Sequence, residues 1–223
     1  MDYETEEQQL EAIKSWWKEN STMIVGGISL GVVAIFGWQY FQSQSAIHAE
    51  SASILYEQVL MGAKNPQASA DSLSDQRAKV NQLEAEFKDT PYASLSALVV
   101  ARQHINAGEM EQAEKQYQWV IANTRQDEMR YLAKIRLARV LLGTEKTDQA
   151  LAILNESYPE SFSGMVLELK GDVLLSQGLH EQAKAAYTQA QSLSTRPSRW
   201  LKLKIDDLGG LVKQMTGAIE PSA

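Results

Sequence analysis

The feature that most constrains this chain is an uncharged apolar run that extends from Met23 to Phe41. As a helix, its nineteen residues would span about 28 Å, close to the roughly 30 Å hydrocarbon core of a bilayer. Trp16 and Trp17 precede the run and Trp38 lies near its far end, and such amphipathic rings favour the membrane interface. The run therefore predicts one transmembrane helix over residues 23–41, in contact with the lipid bilayer.

Two other interpretations of this run are a core helix of a soluble domain and a cleaved signal peptide. An uncharged stretch of this length is unusual inside a domain of this size, and it is longer than the apolar region of a signal peptide. The residues before it are acidic, whereas signal peptides begin with basic residues. Ser43-Gln44-Ser45 fits a cleavage site only loosely, so an uncleaved anchor is the preferred interpretation.

The orientation of the anchor follows from its flanking cations, because Lys and Arg are retained on the cytoplasmic side. Lys14 and Lys18 lie just before the run, and after it no Lys or Arg occurs until Lys64. The N-terminus is therefore expected in the cytoplasm and the C-terminal part in the periplasm, with the helix in a bacterial inner membrane. Acidic residues in the tail weaken this bias, namely Asp2, Glu4, Glu6, Glu7, Glu11 and Glu19.

The predicted membrane helix contains a pair of glycines, Gly27 and Gly31, in GxxxG spacing. Ala34 falls on nearly the same face of the helix. Small residues on one face of a membrane helix allow a second helix to approach closely. Gly is also common in membrane helices without any such role. We expect helix packing at Gly27 and Gly31, against either a second copy or another protein.

The part of the chain that follows the anchor contains a repeat. Small residues occur at Ala101, Ala138 and Gly171, so that the repeats start 37 and then 33 residues apart. Twelve positions after each of these, a second small residue occurs, at Ala113, Ala150 and Ala183. Four positions further on, a large residue occurs, at Tyr117, Leu154 and Tyr187. A period near 34 residues is typical of tetratricopeptide repeats, in which pairs of helices pack closely through small residues. The middle repeat lacks the turn glycine present at Gly108 and Gly178.

The predicted fold is all-α, with a single N-terminal transmembrane helix followed by a tetratricopeptide-like α-solenoid. Helices are expected over Ser45–Leu60, Leu73–Lys88 and Pro197–Met215, with a loop over Gly62–Ser72 and a frayed tail from Gly217. The predicted organisation is an acidic cytoplasmic tail (1–22), the membrane helix (23–41), a membrane-proximal helix pair (42–90), three repeats (91–196), and a capping helix with a tail (197–223).

The sequence offers no candidate for catalysis. Its 28 acidic and 21 basic residues give a net charge of −7, which disfavours nucleic-acid binding, and it contains no cysteine. His48, His104 and His180 share no metal-ligand spacing, and no Gly-rich phosphate loop is present. We therefore expect neither an enzyme nor a bound cofactor or metal.

A protein-binding surface is easier to identify. In tetratricopeptide superhelices the first helix of each repeat lines the concave side, whose curvature creates an extended binding surface. The matching positions define a candidate groove: Leu98, Arg102, Ile105, Ile135, Arg139, Leu142, Glu168, Asp172 and Leu175. This mixture of apolar and charged side chains suits an extended chain or a partner helix. Alternatively, a flanking helix fills the groove and these residues belong to the core.

Four motifs follow one another in a specific order along the chain. They are an acidic tail that ends in IKSWWK (13–18), the glycine-rich anchor, DTPYA (89–93), and a repeat of the type GEMEQAEKQY (108–117). In this order, and over nearly the whole chain, they resemble the YfgM family of ancillary subunits of the bacterial SecYEG translocon. The family's fold is thus expected here, although the early Trp and the final Pro of tetratricopeptide repeats are mostly missing.

The resemblance implies a single-pass type II inner-membrane protein beside the SecYEG translocon. Its implied partners are the membrane-anchored periplasmic chaperone PpiD and newly translocated polypeptides, which it would help transfer to periplasmic chaperones. The alternative is a structural or regulatory scaffold that binds one fixed envelope partner or, through its acidic tail, a cytoplasmic regulator. Membership of another periplasmic tetratricopeptide family is disfavoured, because those proteins are often lipidated or cleaved and this chain has no cysteine to lipidate.

Overall fold

The computed structural model describes residues 3–64, 70–193 and 198–217, and within these ranges all regular secondary structure is α-helical. This confirms the predicted all-α fold. The helices are α1 (Tyr3–Ala63), α2 (Ala70–Glu86), α3 (Pro91–Asn106), α4 (Met110–Asn123), α5 (Asp127–Gly143), α6 (Thr147–Leu154), α7 (Glu160–Ser176), α8 (His180–Leu193) and α9 (Arg199–Gly217).

The chain divides into two units, residues 1–51 and 52–223. In the first unit the predicted span 23–41 lies inside α1, and its large apolar side chains are exposed, Met23 by 78% and Leu30 by 73%. Among the described helices, α1 is the one long and apolar enough to cross a membrane. Water-exposed apolar surface costs about 25 cal/mol per Å², so this surface is suited to lipid or to another apolar helix.

The second unit begins with a small core formed by the end of α1 together with α2 and α3. Ala52 and Val59 are fully buried there, in one cluster with Val80 and Leu83 of α2 and with Ala93 of α3. The Gln76 side chain donates a hydrogen bond of 2.9 Å to the Val59 carbonyl oxygen, which joins α2 to α1.

The helices on either side of the first loop are longer than the sequence predicted. Gly62 and Ala63 continue α1, and α2 starts at Ala70, so the predicted loop over 62–72 is too long. Ala70, Asp71 and Ser72 suit a first helical turn, because an acidic residue there interacts favourably with the helix dipole. Residues 65–69 lie outside the described part of the chain.

The three repeats are the helix pairs α3–α4, α5–α6 and α7–α8. The small residues identified from the repeat are buried at every position, and so are the large residues that follow them, with Tyr117 exposed by 2%, Leu154 by 3% and Tyr187 by 0%. Close approach of the paired helices explains this pattern, because only a small side chain fits where two helix backbones nearly touch. One continuous core cluster extends through the first two repeats and into α7.

The first helix of each repeat ends in the same type of turn. The amides of Gly108, Glu145 and Gly178 donate to the carbonyl oxygens of Ile105, Leu142 and Leu175, and the next amide reaches one residue further back in each case. This double hydrogen bond defines a Schellman motif, which requires a left-handed residue. Gly108 and Gly178 have φ of +76° and +75°, and the middle repeat places Glu145 there with φ of +59°.

The C-terminal helix α9 packs on the last repeat. Leu201 and Leu208 are exposed by 3% and 2%, and they share a core cluster with Leu174, Ala186 and Tyr187. A solenoid needs such a helix because its last apolar face would otherwise meet water. Of the helix predicted over Pro197–Met215, Pro197 lies outside the described residues, as does the tail from 218 to 223.

Candidate protein-binding groove

The nine residues of the candidate groove lie on α3, α5 and α7, the first helices of the three repeats. They form three rows of matched positions, which differ in accessibility. The first row contains Leu98, Ile135 and Glu168, the second contains Arg102, Arg139 and Asp172, and the third contains Ile105, Leu142 and Leu175.

The first row lies mostly in the core. Leu98 is 6% exposed and Ile135 is 1% exposed, and both belong to the central hydrophobic cluster. These two side chains hold adjacent repeats together, so a charge placed on either one would act on stability before it acted on binding. Glu168, in the matching place of the third repeat, is half-buried.

The second and third rows provide the accessible surface of the first two repeats. Arg102 and Arg139 are exposed, and one helical turn beyond them Ile105 and Leu142 are half-buried against the central cluster. Each of these repeats therefore presents a cation beside an apolar side chain. Such a surface can receive a peptide through both charge and apolar contact.

In the third repeat the matched positions are covered by α9. Lys204 Nζ donates to Asp172 Oδ1 at 2.7 Å and to Glu168 Oε1 at 3.1 Å. The hydroxyl of Tyr187 donates to the same Asp172 oxygen at 2.7 Å, and Lys204 Nζ lies 5.2 Å from the centre of the Tyr187 ring. A flanking helix thus fills the groove at the third repeat, whereas Arg102 and Arg139 of the first two repeats remain exposed.

The titration of this cluster follows from its contacts. Burial lowers the pKa of Lys204, but its hydrogen bonds to Asp172 and Glu168 outweigh that effect and raise it overall. Burial raises the pKa of Tyr187 strongly, and the hydrogen bond to Asp172 adds to the rise. Both groups therefore hold their protons well into the alkaline range, and Lys204 carries its charge between the two carboxylates.

A cleft that the sequence did not reveal lies between α7, α8 and the start of α9. It encloses about 610 Å³, and its lining includes the exposed apolar side chains of Met165 and Leu193 beside Glu160 and Glu168. The cleft forms beside the packing of α9 on the preceding helix pair, and Leu201 of α9 contributes to its lining. The one sequence signal that could have indicated it is the amphipathic pattern of α9, with Trp200 exposed and Leu201 buried.

The histidines have structural environments. His104 Nδ1 lies 2.6 Å from Glu109 Oε2 across the first inter-helix turn, and His180 is the first residue of α8. Within the described ranges no group of three or more His, Cys, Asp or Glu side chains is placed to hold a metal ion.

The glycine pair of the predicted membrane helix is open to its surroundings. A Cβ atom added at Gly27 or Gly31 would have no described neighbour within 4 Å, and both residues are exposed. The face they define is therefore free to pack against another helix.

Comparisons with known proteins agree with this architecture. The family model described as "Tetratricopeptide repeat-like domain" matches residues 14–210. The chain is similar to the "Ancillary SecYEG translocon subunit" of Escherichia coli (strain K12), with 31% identity over 92% of this chain and 98% of the relative. Proteins of the same name from Aggregatibacter actinomycetemcomitans and Haemophilus influenzae are 32% and 28% identical, over 83% and 91% of this chain and 88% and 97% of theirs. No solved structure matches significantly. The chain belongs to the tetratricopeptide repeat-like family of ancillary SecYEG translocon subunits.

Proposed function

We propose that this protein is a membrane-anchored, non-enzymatic adaptor at the SecYEG translocon, which assists the transfer of newly translocated proteins to periplasmic chaperones such as PpiD. The name of the relatives supports the association with the translocon. The observation that carries the binding role is the pairing of exposed cations with half-buried apolar side chains on the first two repeats.

In this proposal the protein is a single-pass type II protein of the inner membrane. Lys14 and Lys18 hold the N-terminus in the cytoplasm, and the repeats lie in the periplasm. The anchor restricts the repeats to the membrane surface, which raises their effective concentration for chains that emerge from a channel in the same membrane. Weak contacts with many chains are then sufficient, because proximity compensates for low affinity.

The groove would act through short-lived contacts with segments that are not yet folded. Ile105 and Leu142 offer apolar contact, and Arg102 and Arg139 offer charge, on an accessible surface. Apolar groups of this size contribute roughly 1.5–3 kcal/mol each when fully buried. Partial burial gives less, so release can compete with folding.

Co-purification from membranes in mild detergent tests the proposal. The native chain is expected to retain translocon subunits and a periplasmic chaperone, and a variant with residues 23–41 replaced by an unrelated membrane helix is expected to lose part of the translocon. The groove is tested in the same preparation with Leu142→Glu, for which Leu179→Glu, an exposed leucine in the turn before α8, is the matched control. Recovery of a different envelope complex by the native chain would refute the translocon role.

A scaffold for one fixed partner, or recruitment of a cytoplasmic regulator by the acidic tail, is the second candidate. The tail favours it through its cluster of carboxylates before the membrane helix. Deletion of residues 1–20 separates the two ideas. Client crosslinking to the repeats should survive the deletion if the protein handles periplasmic chains, and an effect confined to a cytoplasmic pathway would favour the regulator.

A further inference from the structure

We infer that Arg102, Arg136 and Arg139 form a carboxylate-binding site on the first two repeats, which takes an acidic segment of an unfolded or extended polypeptide. The inference rests on the proposed role in protein binding and specifies which chemistry the groove selects. It is carried by the placement of the three guanidinium groups, by their lack of partners, and by the contrast with the third repeat.

The three arginines are brought together by the repeat. Arg102 and Arg139 each follow the fully buried small residue of their helix, Ala101 and Ala138, so they occupy the same place in adjacent repeats. Arg136 is three residues before Arg139 on α5, and residues at this spacing are neighbours on a helix surface. Ala101 and Ala138 belong to the same core cluster, which holds α3 and α5 in register.

The positive charges of all three arginines reach Tyr117 of α4. It takes the place in the first repeat that Tyr187 takes in the third, where the phenol contacts Asp172 of its own repeat and Lys204 of the next helix. Burial raises the pKa of Tyr117, while the positive charges of Arg136, Arg102 and Arg139 oppose the rise. All three cations therefore act on one buried phenol.

The contrast with the third repeat concerns charge balance. There the ammonium of Lys204, on α9, pairs with the carboxylates of both Glu168 and Asp172, which leaves one net negative charge. In the first repeat Arg102 occupies the position that Asp172 has in the third. The helix that follows the first repeat, α5, adds two further cations, Arg136 and Arg139. The third repeat and α9 thus combine anions with a cation that pairs with them, whereas the matching region between the first and second repeats carries three positive charges.

The three arginines have no carboxylate partner in the described part of the chain. Three other cations of the same repeats do have one: Arg130 pairs with Asp127, Lys134 with Glu156, and Lys146 with Glu114. A cluster of unpaired cations stands out in a protein with a net charge of −7. Like charges held together repel one another, and an anion that bridges them removes this repulsion.

The flanking residues favour a peptide as the source of the anion. Ile105 and Leu142 lie one helical turn after Arg102 and Arg139, so each cation has an apolar neighbour. Guanidinium groups bind carboxylates through two parallel hydrogen bonds, and alternate side chains of an extended segment point to the same side. A segment in which an acidic residue and a Leu or Ile are two positions apart presents both to the same side, and therefore satisfies both features of the groove.

The test measures peptide binding to the full-length protein in detergent micelles. The probe is a fluorescently labelled eight-residue peptide, Glu-Ser-Leu-Ser-Glu-Ser-Leu-Ser, which presents Glu and Leu on the same side when extended, and its control replaces each Glu by Gln. We expect the Glu peptide to bind at least about tenfold more tightly than the Gln peptide, because charge-assisted hydrogen bonds are lost in the latter. Arg102→Gln combined with Arg139→Gln should weaken the Glu peptide by about tenfold or more and leave the Gln peptide unchanged.

Arg125→Gln is the matched control, since Arg125 is an exposed arginine that lies outside the cluster. Equal binding of the Glu peptide to the native chain and to the double variant would overturn the inference, as would equal loss in the Arg125 variant. Binding of anionic lipid vesicles that depends on Arg102 and Arg139, without peptide binding, would assign the site to lipid instead. Failure of the inference can be distinguished from failure of the proposed function by translocon co-purification, measured with the native chain and with the double variant. The inference alone fails if peptide binding does not depend on the arginines while the native chain still retains the translocon.

Discussion

A Cβ atom placed on Gly171 would lie 2.4 Å from Cε1 of Tyr187, so the backbone of α7 rests directly against the face of that ring. The ring cannot move aside, because Tyr187 is fully buried and its hydroxyl is held by Asp172 at 2.7 Å. The small residue of the third repeat is therefore required to be glycine, whereas the first two repeats have alanine at the same position. The reason is the position of the Tyr187 ring, which occupies the space that a methyl group on residue 171 would need. A tyrosine at this repeat position does not by itself demand glycine, because the first repeat combines Tyr117 with Ala101.

Gly171→Ala is expected to destabilise the repeat domain by about 1–3 kcal/mol, the usual range for overpacking a rigid core. Urea unfolding of the full chain in detergent, followed by circular dichroism, measures the loss. Gly164→Ala on the same helix is the control, because its added Cβ would have its nearest neighbour at 3.9 Å. There the alanine should be neutral or stabilise by up to about 1 kcal/mol, and equal loss in both variants would refute the contact with Tyr187.

Glu145→Gly should stabilise the middle repeat. Glu145 holds the left-handed position of its turn at φ of +59°, where a residue with a Cβ is strained by about 1–2 kcal/mol. Glycine removes this strain but is more flexible when unfolded, so the expected net gain is about 0.5–1 kcal/mol. Thermal unfolding measures the gain.

Gly178→Ala is the reciprocal change in the third repeat. Its added Cβ would meet nothing within 4 Å, so any loss reports backbone strain alone. A loss of about 1 kcal/mol is expected.

For the Glu145→Gly variant, a loss of stability in place of the expected gain would show that the glutamate side chain makes a compensating contact.

Lys204→Met should loosen α9. The substitution leaves the half-buried carboxylates of Asp172 and Glu168 without their cation, and the partly exposed site limits the expected cost to about 1 kcal/mol. Amide hydrogen exchange in α9 should then accelerate by about fivefold. Lys202→Met on the exposed side of α9 is the control, and unchanged exchange in the Lys204 variant would contradict the role of this ion pair.

Stability should fall in the alkaline range, and Tyr158 contributes to the fall. Burial, followed by the negative charges of Glu156 and Tyr131, raises the pKa of Tyr158 from 10.0 to about 12. The folded state therefore favours the neutral phenol, and the associated stability is present below pH 10.0 and is lost as the pH rises towards 12.

Tyr158→Phe removes this titration, so unfolding midpoints measured from pH 9 upwards should fall less steeply than those of the native chain. At neutral pH the variant should lose about 1 kcal/mol, because the hydroxyl no longer donates to the Ile153 carbonyl oxygen at 3.0 Å. Parallel slopes in the two proteins would exclude Tyr158 as the titrating group.

The orientation of the anchor can be measured directly, because the chain has no cysteine of its own. Gln8→Cys and Thr188→Cys each introduce one thiol at an exposed position, on opposite sides of the predicted span. A membrane-impermeant maleimide applied to intact spheroplasts should label only the Thr188 variant. Labelling of the Gln8 variant alone would reverse the proposed topology.

The repeat itself was predictable from the sequence because its signals are local. Small residues at Ala101 and Ala138 recur at helical spacing, and steric requirements at close helix contacts allow few other residue types. The two turn glycines were likewise visible. Their middle counterpart was not, because nothing in the sequence distinguishes Glu145 as a left-handed residue from an ordinary glutamate.

The composition of the groove was less predictable. Leu98 and Ile135 match the groove positions of the repeat, but the packing of adjacent repeats buries both in the core. The packing of α9 over the third repeat depends on the contact between Lys204 and Asp172, which are 32 residues apart in the sequence. Such long-range pairs leave no periodic pattern in a sequence. The positive charge of Arg102 and Arg139 was visible in the sequence. Only the structure showed that neither side chain has a carboxylate partner among the described residues.

The change from arginine to aspartate at one repeated position has a consequence for direction. Three similar repeats with identical side chains would accept an extended segment equally well in several registers. Here Arg102 and Arg139 mark one end of the array, and the neutralised Asp172 marks the other. The charge therefore differs between the two ends of the surface, which gives the surface a direction. An acidic stretch would bind at the arginine end and so fix the register in which a passing chain is held.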